Sequence, residues 1–231
     1  MGDDWQTILY TASVWVMPVL IAVTLHEAAH GWSAWHFGDD TAKLLGRVTF
    51  NPLRHIDPFG TVLLPVLLLF GSGGRMMFGF AKPVPVNFRR LRRPRRDMIL
   101  VAAAGPASNL LIALISAALL RTINLLPVEA QEWMALNLLN SLWINLLLCV
   151  FNMLPLPPLD GGRVAVGLLP PVLGLRLAGL ERYGIMIVLV AIVVLPWLGG
   201  WLGVDLNIFV WLVEFPALSL RKMILVSVGV I

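Results

Sequence analysis

The chain has 231 residues, a mean hydropathy of +0.85 and only 13% charged residues, which excludes a soluble domain and indicates a multi-pass membrane protein. The net charge of +4 suggests cytoplasmic loops rich in Lys and Arg, so we expect the lipid bilayer and no nucleic acid as a partner. The single cysteine, Cys149, excludes an intramolecular disulfide and a zinc site made of several cysteines.

The first apolar segment, residues 5–37, contains a sequence that is typical of zinc enzymes. Residues 26–30 read His-Glu-Ala-Ala-His, and Glu27 is the only charged residue of the segment. Because each helical residue turns about 100°, His26 and His30 lie on one face, one turn apart, and can bind one zinc ion. Glu27 lies beside them, where it can take a proton from a metal-bound water.

This short motif also arises by chance, and its histidines could simply form hydrogen bonds with other helices. In that case Glu27 would need a separate partner within the membrane. Ionisable side chains are costly in hydrocarbon, so an HExxH motif in such a segment favours a functional site.

The region of residues 39–96 differs from a spanning helix, and we expect strands, turns and a re-entrant or interfacial piece. Residues 44–51 have the alternation and β-branching of a short strand, and the prolines of residues 79–87 favour an extended chain. The apolar stretch 59–70 is shorter than a normal span. A stretch that does not cross is the simpler interpretation, because it keeps the flanking basic loops on one side.

Three further segments are long and apolar enough to span, at residues 98–120, 133–159 and 183–204. A fifth segment, 206–220, is weaker because Glu214 interrupts it. The fold class predicted is therefore an all-α multi-pass membrane protein of about five to six hydrophobic segments, with a small re-entrant or β-containing region after the first. We expect one polytopic domain over residues 1–231, with a catalytic core at approximately 5–163 and C-terminal membrane helices at 176–231.

The charges predict how these segments are oriented. The loop 75–96 contains eight basic residues and is expected to be cytoplasmic, whereas Glu129 and Glu132 suit the outside. The basic residues that follow Glu132 are again expected inside, and they include Arg163, Arg176 and Arg182. This arrangement directs His26 toward the cytoplasmic leaflet.

A catalytic zinc commonly has three protein ligands and one open position, so a third ligand is needed. Asp160 follows the inward-running segment and a proline-rich stretch, residues 155–158, that breaks the helix. Gly161 and Gly162 permit a sharp turn that could direct the carboxylate to the metal. From spacing alone, an aspartate that caps a helix at the membrane surface remains an equal alternative.

Three motifs together resemble the site-2 proteases, which are intramembrane zinc metalloproteases. They are residues 26–30, residues 104–109 (Ala-Gly-Pro-Ala-Ser-Asn) at the opening of the next helix, and residues 151–163 around Asp160. Residues 51–58 and 78–83 are similar to the compact prokaryotic branch. The resemblance implies one zinc per chain with His26, His30 and Asp160 as ligands, Glu27 as general base, and Asn152 holding the substrate or its oxyanion.

The resemblance also implies a function. We expect an endopeptidase that cleaves within or beside transmembrane segments of membrane-anchored substrates, as in regulated intramembrane proteolysis. The enzyme would lie in the cytoplasmic membrane, with its site toward the cytoplasmic leaflet.

Two alternatives stay open. One is another membrane HExxH protease with a glutamate as third ligand. The other is a non-enzymatic protein that transports metal or binds transmembrane helices. For Asn109 and His55 we expect structural roles, and we expect Gly105 and Pro106 to bend or begin a helix.

Overall fold

The computed structural model describes residues 4–64, 66–67 and 79–230, and these residues form helices joined by irregular segments. Short 3₁₀ turns lie at Pro52–Arg54, Phe88–Arg90 and Ile123–Leu125, and a π-helical turn lies at Pro58–Leu63. Two further π-helical turns lie at Val190–Val194 and Val210–Glu214. The helices are α1 (Asp4–His36), α2 (Thr41–Leu44), α3 (Pro94–Leu120), α4 (Val128–Asn152), α5 (Asp160–Leu168), α6 (Pro171–Ala178), α7 (Glu181–Leu202) and α8 (Phe215–Ser227).

Four helices in the described part are long and apolar enough to cross a membrane: α1, α3, α4 and α7. They confirm the four clear segments of the sequence. The expected total of five to six is not confirmed. The weaker fifth segment lies in Val210–Glu214 and α8, and three charged residues there, Glu214, Arg221 and Lys222, work against a spanning role.

The predicted strand at residues 44–51 is wrong, and no β-strand occurs among the described residues. α2 ends at Leu44, the chain turns at Gly46 with a φ of 65°, and residues 48–50 form a bend. A strand needs a partner, and the nearby segment 79–87 has prolines at positions 83 and 85 that lack the N–H to pair with it. The contact between the two regions is instead a side-chain bond, from the Arg47 guanidinium to the Lys82 carbonyl oxygen at 2.6 Å.

The apolar stretch 59–70 is described only in part. Residues 59–63 continue the π-helical turn, and positions 64, 66 and 67 are helical. Residues 65 and 68–78, which include Arg75 of the basic loop, lie outside the described residues. Whether the stretch crosses or re-enters therefore stays a prediction.

α3 is the central helix, since it packs against α1, α4 and α5. Small residues allow the close approach: Ala113 and Ala117 are fully buried against Leu142 and Leu146 of α4. Polar bonds also cross between the helices, from Ser116 to the Ser141 hydroxyl at 2.8 Å and from the Asn140 amide to the Val14 carbonyl at 2.9 Å. These contacts hold α1 and α3 against α4.

The chain turns after α4 where the prolines and glycines predicted a break in the helix. α4 itself ends earlier than predicted, at Asn152. Residues 153–159 then form a series of turns with a cis bond between Pro157 and Pro158. A Cβ on Gly161 or Gly162 would collide with the backbone of this turn. The two glycines therefore let the chain fold back, and they bring Asp160, the first residue of α5, beside α1 and α3.

Candidate metal centre

Three side chains of the predicted zinc site converge on one point. The Nε2 atoms of His26 and His30 lie 3.1 Å apart, and Oδ2 of Asp160 lies 3.2 Å from the first and 3.3 Å from the second. Both histidines are buried, and the aspartate side chain is 15% exposed. The sequence alone left the direction of Asp160 open; the structure brings its carboxylate to the histidine pair.

The spacing of these atoms matches the donor set of a zinc site. Donors bound tetrahedrally at 2.0–2.1 Å from zinc lie about 3.3–3.4 Å apart. The three observed distances are close to this value. Two imidazoles and one carboxylate also form a ligand set that leaves a fourth position open, as catalytic zinc sites do.

Hydrogen bonds at the other ring nitrogens orient both histidines. Nδ1 of His30 lies 2.8 Å from the Val101 carbonyl oxygen, which can only accept, so this nitrogen carries the proton. Nδ1 of His26 lies 2.5 Å from Oδ1 of Asn109. The Asn109 amide nitrogen donates to Ala22 and Asn145, so the oxygen faces His26 and accepts. Both Nε2 atoms therefore carry lone pairs.

This arrangement concentrates electron pairs around one point. Asp160 Oδ2 is buried and has no hydrogen-bond donor among the described residues, and both histidine Nε2 atoms turn lone pairs toward it. Three buried acceptors repel one another unless a cation lies between them. The residues thus fit a zinc ion, and the partners on the far sides of the rings are the kind that metal-binding histidines use.

Gly105 explains why the histidines fit beside α3. A Cβ at this position would collide with the imidazole of His30 and would lie 2.7 Å from Cε1 of His26. The expectation that Gly105 and Pro106 begin a helix, and that residues 104–109 open one, is wrong, whereas a bend at Pro106 stays a prediction. They lie inside α3, which begins at Pro94, because the site requires the glycine to face α1 at the depth of the histidines.

Glu27 lies outside the three-atom cluster and is held separately. Its Oε2 accepts a hydrogen bond from the Val84 backbone N–H at 2.8 Å. The segment that provides this donor packs on α1 at Gly31, where an added Cβ would lie 3.0 Å from Val48 and 3.2 Å from Val84. The carboxylate is therefore oriented by backbone and is not used as a fourth ligand in this arrangement.

Asn152 is the last residue of α4, and the loop that leads to Asp160 follows it directly. Its amide nitrogen donates to the Leu148 carbonyl of its own helix at 3.0 Å. Within the described part of the chain, no bond joins it to the three ligand atoms. Its role toward substrate stays a prediction.

Asn109 lies beside the candidate metal centre, which the sequence analysis did not predict. The expected contact between helices occurs, because its amide donates to Ala22 and Asn145, but its side-chain oxygen also accepts from His26. The signal in the sequence was its position one turn after Gly105 in the motif of residues 104–109. His55 instead accords with the structural expectation, because its Nε2 lies 3.1 Å from the Thr49 carbonyl and its own carbonyl accepts from Lys82.

Comparison with known proteins identifies the family. The profile of Peptidase family M50 matches residues 14–130 and 127–196. The relative named "Putative zinc metalloprotease YwhC", from Bacillus subtilis (strain 168), is 43% identical over 182 residues, which is 77% of this chain and 79% of the relative.

Two mycobacterial relatives carry the same kind of name, with the designation Rip2. The one from Mycobacterium tuberculosis H37Rv is 32% identical over 225 residues, or 95% of this chain and 81% of its own length. The one from Mycolicibacterium smegmatis is 32% identical over 200 residues, which is 87% of this chain and 73% of that relative. No solved structure gives a significant match. The chain thus belongs to peptidase family M50, the site-2 protease family, and is a zinc metalloprotease.

Proposed function

We propose that this zinc metalloprotease cleaves peptide bonds within or next to transmembrane segments of membrane-anchored proteins. The observation that carries the proposal is the buried cluster of His26, His30 and Asp160, which lies against two helices of spanning length, α1 and α3. A hydrolytic centre buried beside helices of spanning length suits the peptide bonds of membrane proteins better than those of soluble proteins. The catalytic core would be residues 5–163, within one polytopic domain.

His26, His30 and Asp160 would hold one zinc ion per chain. Zinc, when bound, acts as a Lewis acid that acidifies water and polarises a carbonyl oxygen. The tautomers that Asn109 and Val101 select keep both Nε2 atoms available for this ion. Asn109 would serve as a positioning residue that acts through His26.

Glu27 would be the general base. Its carboxylate is oriented by the Val84 N–H, and it would take a proton from water and deliver it to the leaving nitrogen. Asn152 would donate its amide to the oxyanion, which requires it to exchange the Leu148 carbonyl for the substrate. A helical substrate hides its carbonyls in its own hydrogen bonds, so it must unwind locally before this chemistry.

We place the protein in the cytoplasmic membrane, with the site toward the cytoplasmic leaflet. Support comes from the arginines that precede α3 and from Glu129 and Glu132 at the start of α4. The direct test of function is co-expression of the wild type or Glu27→Gln with a library of single-span membrane proteins. Fragments that appear only with the wild type would identify activity and substrates together.

Asp160→Ala is expected to lose the bound zinc, because two histidines alone leave the ion short of a ligand. Metal analysis of the purified protein should find about one zinc per chain in the wild type and a small fraction of that in the variant. Asp205→Ala is the control, since this exposed carboxylate accepts from the Asn207 backbone N–H and lies outside the cluster. Full occupancy in Asp160→Ala would refute the third ligand.

Glu27→Gln should abolish cleavage and keep the zinc. Loss of a general base typically costs about 10²–10⁴ in rate. The amide still accepts the Val84 N–H, so the segment should stay in place. Rates measured on a cleaved substrate, alongside zinc content, separate the base from a ligand, and near wild-type cleavage would place the base elsewhere.

Asn109→Leu should weaken zinc binding by about 10–100-fold, because His26 loses the acceptor that fixes its tautomer. Competition with a zinc chelator measures this directly, without substrate. Asn140→Leu is the control, since it removes an asparagine hydrogen bond to a backbone carbonyl of α1, as Asn109→Leu does at Ala22, but touches neither histidine. Equal affinities for zinc in the two variants would show that Asn109 contributes only to helix packing.

The topology can be tested with single cysteines in a Cys149→Ser background. An impermeant thiol reagent applied to whole cells should label Glu129→Cys and leave Lys43→Cys, Arg92→Cys and Arg176→Cys unlabelled. Labelling of Arg92→Cys with protection of Lys43→Cys would show that the stretch 59–70 crosses.

A further inference from the structure

A second site lies away from the metal centre, where the end of α1 meets the beginning of α3. An open cavity of about 240 Å³ occurs there. Arg92 closes one side, and its backbone N–H bonds the Phe37 carbonyl at 3.0 Å. The lining residues are Phe37, Arg92, Arg93, Arg96, Asp97 and Leu100.

The three arginines of this cavity have no side-chain partner among the described residues, whereas Arg90 and Arg95 have one. Arg90 pairs with Asp40 at 2.8 Å, and Arg95 donates to the carbonyls of Gly167 and Leu169. The guanidinium groups of Arg92, Arg93 and Arg96, by contrast, have no ion pair or hydrogen bond among the described residues. Three unpaired positive charges surround one space.

Asp97 does not neutralise this charge through an ion pair. It is 4% exposed, and its Oδ2 accepts the Arg93 backbone N–H at 2.7 Å. The carboxylate thereby closes the first turn of α3 and leaves the guanidinium groups to a ligand. An anion is the ligand that complements their charge.

The cavity also has an apolar side. Phe37 lies at one wall and Leu100, which is 41% exposed, at another. α1 and α3 are both of spanning length, and the cavity lies where these two helices end, so a surrounding bilayer places it at the level of the headgroups. Guanidinium groups beside exposed apolar side chains match a molecule with a phosphate at one end and hydrocarbon at the other.

We propose that this cavity binds the phosphate of an anionic phospholipid headgroup, with the acyl chains along the side of Leu100. Basic residues at a membrane surface attract anionic lipids diffusely. Here three of them share one cavity with apolar walls, which favours a defined lipid over a diffuse layer. A free phosphate would contact the arginines and leave Phe37 and Leu100 unused.

The experiment uses the full chain, purified with its zinc in detergent. Phosphatidylglycerol, phosphatidylcholine or inorganic phosphate is added, and bound molecules are counted by native mass spectrometry. We expect one phosphatidylglycerol to be retained above the rest, phosphatidylcholine to be retained weakly, and inorganic phosphate to leave this lipid in place. If inorganic phosphate displaces phosphatidylglycerol at equal concentration, the cavity binds a simple anion and the proposed lipid site is wrong.

Two triple variants separate a site from general charge. An arginine close to an anionic headgroup contributes roughly 5-fold to its binding, so removing the three arginines that would contact the one bound lipid should weaken its retention by about 100-fold. The control removes the same charge from exposed arginines that do not line the cavity, and should change binding by only a few fold. The cavity variant is Arg92→Gln, Arg93→Gln, Arg96→Gln, and the control is Arg54→Gln, Arg89→Gln, Arg176→Gln.

Zinc content and melting temperature in phosphatidylcholine verify that both variants fold. If the cavity triple variant does not fold, the single variant Arg93→Gln should still bind phosphatidylglycerol about 5-fold more weakly than Arg89→Gln. Equal losses in the two triple variants, or in the two single variants, would show diffuse attraction and overturn the proposal. Unchanged binding in the cavity variant would do the same.

Discussion

The structure depends on one electrostatic constraint, the convergence of two imidazole lone pairs and a carboxylate in a buried place. Each group alone is costly to place there, and together they repel unless a cation joins them. Hydrogen-bond acceptors on the Nδ1 side of each ring therefore fix the tautomers of His26 and His30. Val101 and Asn109 accept the Nδ1 protons, and Asn145 accepts from Asn109 in turn, so three helices contribute to the orientation of one metal-binding face.

Close packing follows from this constraint. α3 can approach the histidines only because Gly105 has no side chain, and Asp160 reaches them only because Gly161 and Gly162 let the chain fold against its own proline turn. Small residues in membrane helices are commonly explained by helix association alone. In this protein they also set how far the three atoms of the candidate metal centre lie from one another, so this centre and the helix packing depend on the same glycines.

The sequence predicted the site better than the region around it. Helical periodicity placed His26 and His30 together, and a break followed by glycines indicated the turn at Asp160, because both signals are local. The strand at residues 44–51 failed because alternation does not reveal whether a partner strand exists, and the facing segment contains prolines. Asn109 was missed because its contact with His26 joins residues 83 positions apart, which periodicity within one helix does not show.

The segment from residue 79 to the start of α3 contacts Glu27 at one end and contains the arginines of the basic loop at the other. Its Val84 N–H holds Glu27, its Asn87 N–H bonds the buried Asp39 at 2.6 Å, and Arg92 bonds Phe37. These contacts follow α1 from the motif to just beyond its end. The next residues along the chain include Arg93 and Arg96, which line the cavity of the proposed lipid. The arginines of that proposal and the carboxylate proposed as general base therefore contact the same stretch of backbone, and this stretch packs on α1.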